Sequence, residues 1–97
     1  MSEPFFDFVF DLLEEGDFLH LEVALPGVLE TEIDVTLDGT RIIIRAQRPA
    51  PRGSSIHREI KRGILIRDLT LPCPVELLKS TYEDGVLWLQ FKRLEPR

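Results

Sequence analysis

The chain is 97 residues long, room for one domain and no second. It is 43% hydrophobic and 30% charged, which is a globular rather than a disordered composition. The formal net charge of −5 argues against general nucleic-acid affinity, and no apolar run approaches the length of a membrane span. One cysteine, Cys73, excludes an intrachain disulfide and a CxxC-type zinc site. No basic stretch precedes an apolar run near Met1, so a reducing, cytoplasmic location is the default expectation.

Strand patterns dominate the chain. Phe6, Phe8, Phe10 and Leu12 alternate with Asp7, Val9 and Asp11. A turn at Gly16-Asp17 leads to a second alternating run, Leu19, Leu21, Val23 and Leu25, so the two form a hairpin. Pro26-Gly27 ends that strand, because proline removes a ladder donor and glycine frees the backbone. Ile33, Val35 and Leu37 predict a third strand, broken at Asp38-Gly39. Ile42 and Ile44 point one way in the fourth, with Arg41, Ile43 and Arg45 opposite. Pro49, Pro51, Gly53 and two serines in the stretch from Gln47 to Ser55 predict a mobile loop.

Beyond the loop, Ile56 to Ile60 predict a short strand, and Leu65, Arg67, Leu69 and Leu71 a longer one. Leu71-Pro72-Cys73-Pro74 is an extended corner, and Val75 to Lys79 predict a single helical turn. Thr81-Tyr82-Glu83, Asp84-Gly85 and Val86 to Phe91 form the clearest hairpin, since Asp-Gly suits a type I′ turn. Leu87, Leu89 and Phe91 share one face; Val86, Trp88 and Gln90 share the other. Many short strands at this spacing indicate an all-β fold, an antiparallel immunoglobulin-like sandwich of 7–8 strands.

Charge is unevenly distributed. Residues 1–40 hold eleven of the 17 acids and no Lys or Arg. From Arg41 to Arg67 there are eight bases against a single acid, Glu59. Alternation alone accounts for such charges as solvated outer faces. The other reading is self-association, a basic edge of one subunit on an acidic edge of another. RNA binding is disfavoured, since no aromatic interleaves the bases to stack nucleotides.

Three blocks together resemble the α-crystallin domain of small heat-shock proteins. The first runs from Phe10-Asp11-Leu12-Leu13-Glu14 to the corner Leu25-Pro26-Gly27-Val28. The second is Glu32-Ile33-Asp34-Val35-Thr36-Leu37 with Ile42-Ile43-Ile44 and Arg48. The third is Arg67-Asp68-Leu69-Thr70-Leu71-Pro72 with Thr81-Tyr82-Glu83-Asp84-Gly85-Val86-Leu87, preceded by Ser80 where the family usually has Ala. The resemblance covers residues 9–92, leaving short segments 1–8 and 93–97.

The resemblance implies an ATP-independent holdase that binds unfolding clients and suppresses aggregation, without cofactor or catalytic group. It implies a homodimer, or association with other small heat-shock subunits, in which a loop strand of one copy pairs with the second strand of its partner as the family counts strands. That would set Arg48, Arg52, Ile56, Arg58 and Arg62 against Asp7, Val9 and Asp11. The loop is shorter than in bacterial relatives, little precedes the domain and no Ile-x-Ile anchor follows, so a dimer or smaller is expected. In the family that anchor fills a groove here predicted at Ile33, Val35, Leu37, Ser80 and Tyr82. Ile43, Ile66 and Trp88 fall on outward faces where the family carries polar side chains, which makes them client-binding candidates.

Phe5 and Phe6 are candidates to fold back on an edge. His20 and His57 lack metal-ligand spacing, and Cys73 lies between prolines as a small buried or half-buried residue. Glu14-Glu15 and Glu83-Asp84 are expected as solvated charge at turns. The rival functions are an adaptor of the related CS-domain type and a capping subunit of larger small heat-shock oligomers.

Overall fold

The period-2 runs become seven antiparallel strands in the computed structural model, which describes residues 9–49, 53, 56 and 62–95. They are β1 (Phe10–Glu15), β2 (Phe18–Ala24), β3 (Ile33–Asp38), β4 (Arg41–Arg48), β5 (Gly63–Thr70), β6 (Val75–Glu83) and β7 (Val86–Arg93). A single 3₁₀ turn at Glu30–Glu32 leads into β3. One sheet has the order β1-β2-β7-β6 and the other β3-β4-β5. The expected all-β antiparallel sandwich is the observed architecture.

The strands β2, β4, β5 and β7 turn their alternating apolar sets inward. Leu19, Leu21 and Val23 of β2 and Leu87, Leu89 and Phe91 of β7 join Ile42, Ile44, Ala46, Leu65 and Leu69 of the other sheet in one buried cluster. Full burial of each large aliphatic contributes about 1.5–3 kcal/mol. The register places Leu21 opposite Leu89 and Ile42 opposite Leu69, so apolar pairs align across neighbouring strands. Asp84 and Gly85 have φ of 52° and 76°, both positive, as a type I′ turn requires.

One element differs from expectation. Val75 to Lys79 is not a helical turn; it opens β6, paired with β7 from Val75 opposite Arg93. The adjacent leucines Leu77 and Leu78 break the alternation and imitate a helical pattern. A β-bulge between Leu77 and Lys79 absorbs the extra residue. Leu77 then faces Phe91, and Ser80 and Tyr82 still pair with Leu89 and Leu87. The ladder offered by β7 overrides the local pattern.

Two further boundaries shift. β4 continues through Gln47 and Arg48 before the loop begins. The described part of β1 starts at Phe10, and its expected extension to Phe6 lies outside the described residues, as do Ile60 and most of the expected strand after Ile56.

Candidate functional site

The site is built around the corner after β2. Leu25-Pro26-Gly27-Val28 is a turn closed by the Val28 amide donating to the Leu25 carbonyl at 3.2 Å. Gly27 takes φ of +82°, the conformation a type II turn demands after proline. Two side chains from other strands hold this corner. Arg48 of β4 donates through Nε to the Pro26 carbonyl at 2.9 Å. The Tyr82 hydroxyl of β6 lies 2.7 Å from the Leu25 carbonyl and 2.6 Å from that of Val28, one proton shared between two acceptors. Burial holds the Tyr82 phenol above its ordinary value, with Arg48 pulling down and Glu30 pushing up.

Beside the corner, the two sheets leave a lateral opening between edge strands β3 and β6. A cleft of about 230 Å³ sits there, lined by Glu30, Ile33, Val35, Ser80, Thr81, Tyr82 and Leu87. The structure therefore brings together four of the five predicted groove residues. Leu37 is half-buried against the core rather than lining the cleft. Glu30, Thr81 and Leu87 were not among the predicted groove residues. Leu87 was legible from its alternation with Leu89, but nothing in sequence marked Glu30, which the 3₁₀ turn brings to the mouth.

The opposite lateral side is different. Arg67, on the inner face of β5, places its guanidinium 4.9 Å from the ring centroid of Phe10 on β1. This cation–π contact bridges the two sheets. β1 itself is an edge strand with Leu12 and Leu13 exposed and Val9 exposed just before it. Glu14 is not simply solvated charge. It pairs with the buried Arg93, whose Nη1 also donates to Cys73 Sγ at 3.0 Å.

The proposed intersubunit arginines divide. Arg48 is only 5% exposed and serves the corner, so it does not stand on a free face. Arg62 donates to the Pro49 carbonyl at 3.2 Å across the base of the loop. Ile56 is fully exposed and Asp11 lies exposed on β1. Asp7, Arg52 and Arg58 lie outside the described residues, as do Phe5, Phe6 and His57.

The outward apolar candidates also divide. Ile43 and Ile66 are half-buried on the three-stranded sheet. They do not face each other directly, since Ile43 is opposite Asp68 and Ile66 opposite Arg45; they are diagonal neighbours. Trp88 is 45% exposed on the other sheet, beside His20, Lys79 and Gln90 in a shallow depression. Among the described residues, no three of His, Cys, Asp and Glu gather as a metal site, and no helix is long and apolar enough to cross a membrane.

A family model described as the Hsp20/alpha crystallin family matches residues 11–97. The chain belongs to that family.

Its likeness to individual Hsp20 relatives spans most of its length. It is 30% identical to an 18 kDa antigen of Mycobacterium leprae over 94 residues, 90% of this chain and 64% of the relative. It is 26% identical to the small heat shock protein IbpB of Klebsiella pneumoniae, over 87% of this chain and 62% of the relative. The chain thus spans less than two thirds of the length of these curated relatives. Among solved structures, heat shock protein 16.0 of Schizosaccharomyces pombe superposes with a TM-score of 0.79 at 20% identity, covering 93% of this chain and 89% of that one. The hspA structure from Xanthomonas axonopodis gives a TM-score of 0.76 at 24% identity, covering 93% and 96%. These likenesses concern the fold.

Proposed function

We propose that this Hsp20-family chain is an ATP-independent holdase that captures unfolding polypeptide along its unpaired borders. The observation that carries the reading is the cleft between β3 and β6. Two edge strands there flank an apolar floor of Ile33, Val35 and Leu87. An extended segment can add its backbone to a free ladder edge and seat alternate side chains on that floor. Leu77 and Leu78 on β6 and Trp88 on the outer sheet face add exposed apolar area. No catalytic group or cofactor enters this reading.

Self-association at β1 is part of the proposal. The strand is an open edge, and Leu12 and Leu13 beside it are exposed. A strand from a second copy would pair the ladder and cover those leucines. Cytoplasmic work suits the free thiol of Cys73.

The test is light scattering from a heat-denatured client without ATP. Suppression at near-equal subunit ratios supports the holdase. No suppression at several-fold excess, with tight binding to one folded partner, supports the adaptor instead. The double variant Trp88→Ala, Ile43→Ser leaves suppression unchanged if those outward side chains take no part.

A further inference from the structure

We infer that the cleft between β3 and β6 selects segments that carry a Lys or Arg beside their apolar pair, and that Glu30 makes the selection. This rests on the cleft being a binding groove, as proposed above.

The apolar floor alone cannot choose among hydrophobic segments, because burial is non-directional. Selection has to come from the polar groups at the mouth. Among the described residues lining the cleft, Glu30 is the one that carries charge. It has no ion-pair partner among the described residues, and it is exposed. Glu32 follows it in the same 3₁₀ turn, so that turn carries two acids and no base. The nearby cation, Arg48, is buried with its Nε on the Pro26 carbonyl, so it serves the corner from beneath.

Glu30 and Tyr82 line the same cleft. After burial and the opposing influence of Arg48, Glu30 contributes to holding that phenol above its ordinary value. A bound segment would extend along the edge strands and bring its flanking residues past the mouth. A cation there meets the Glu30 carboxylate; an anion meets a like charge. Both charges stay partly solvated, so the preference is modest and salt-sensitive.

The experiment uses the full chain and three fluorescent peptides with a central Ile-x-Ile. One carries Arg on both sides of the triplet, one Gln and one Glu. Fluorescence anisotropy is expected to rank them Arg over Gln over Glu, with roughly two- to fivefold between steps at low salt. High salt compresses the series. Glu30→Gln flattens the ranking and Glu30→Arg inverts it. Glu76→Gln, at the far end of β6, leaves it intact. Equal binding of all three peptides, or a ranking that survives Glu30→Gln, overturns the role of Glu30 while leaving the groove in place. Binding of none overturns the groove and this inference together.

Discussion

The Tyr82 hydroxyl rests 2.7 Å from the Leu25 carbonyl oxygen, although 57 residues separate them in sequence. One side chain thereby joins the floor of the cleft to the corner that ends β2. Its ring lines the cleft, and its hydroxyl donates to the Val28 carbonyl and to the Leu25 carbonyl, which also accepts the turn amide of Val28. Tyr82→Phe keeps the ring and removes the bond. It is expected to cost about 1–3 kcal/mol in a denaturant titration, because the Val28 carbonyl loses its phenol donor and Leu25 keeps only the turn amide. An unchanged midpoint would show that water replaces the phenol without loss.

Gly85 meets the same corner from the hairpin. Its carbonyl accepts from the Leu25 amide at 2.7 Å, and a Cβ built on it would lie 3.1 Å from Pro26 Cα. Gly85→Ala combines that backbone crowding with φ of +76° and should cost about 2–4 kcal/mol. Gly16→Ala has a similar φ of +59° but nothing within 4 Å, so it should cost only about 1 kcal/mol. Equal melting temperatures for the two variants would refute the contact argument.

The Glu14–Arg93 pair predicts an asymmetry. The Arg93 side chain is 8% exposed and that of Glu14 38%. Glu14→Gln leaves a buried guanidinium short of its counter-charge and is expected to cost about 1–2 kcal/mol, discounted for the half-open side. Arg93→Met leaves a carboxylate that water can reach and an apolar side chain in the core, so it should cost less. Thermal melts of both variants decide it; the reverse order would place the charge cost on Glu14.

On the outer face, Arg41 donates to both carboxylate oxygens of Asp68, with Nε to Oδ1 at 3.1 Å and Nη2 to Oδ2 at 2.6 Å. That hydrogen bonding holds Asp68 below its ordinary value. A carboxylate depressed in the folded state stabilises above its unfolded pKa and loses that contribution as pH falls through the folded one. Asp68→Asn should therefore lower stability slightly at neutral pH and show a shallower loss below the usual carboxylate range. The pair lies on the exposed face, so added salt should shrink the difference.

Legibility varied with how local the cause was. The inward set of β2, the type I′ turn at Asp84-Gly85 and the corner at Pro26-Gly27 all follow from residues a few positions apart, and all were readable. The partners of three arginines were not. Arg48, Arg67 and Arg93 occupy inward positions in register with Ile44, Leu65 and Phe91. Sequence puts Arg48 on an intersubunit face and Arg93 in the tail, and shows Arg67 only as one member of an alternating run; each sits where the apolar layer ends and meets a carbonyl, a ring or a carboxylate from elsewhere in the chain. The leucine doublet at Leu77-Leu78 misled for a related reason, since a bulge can be recognised only against the partner that β7 supplies.

The amino-acid order alone determined the two-layer β architecture, because alternation, turn residues and apolar content are properties of neighbours along the chain. Tertiary structure decided which charged residues serve the interior, where the cleft opens, and that Glu30 stands at its mouth. Those depend on four sheet edges coming face to face, and the free energy of that meeting belongs to side chains brought together from across the whole chain.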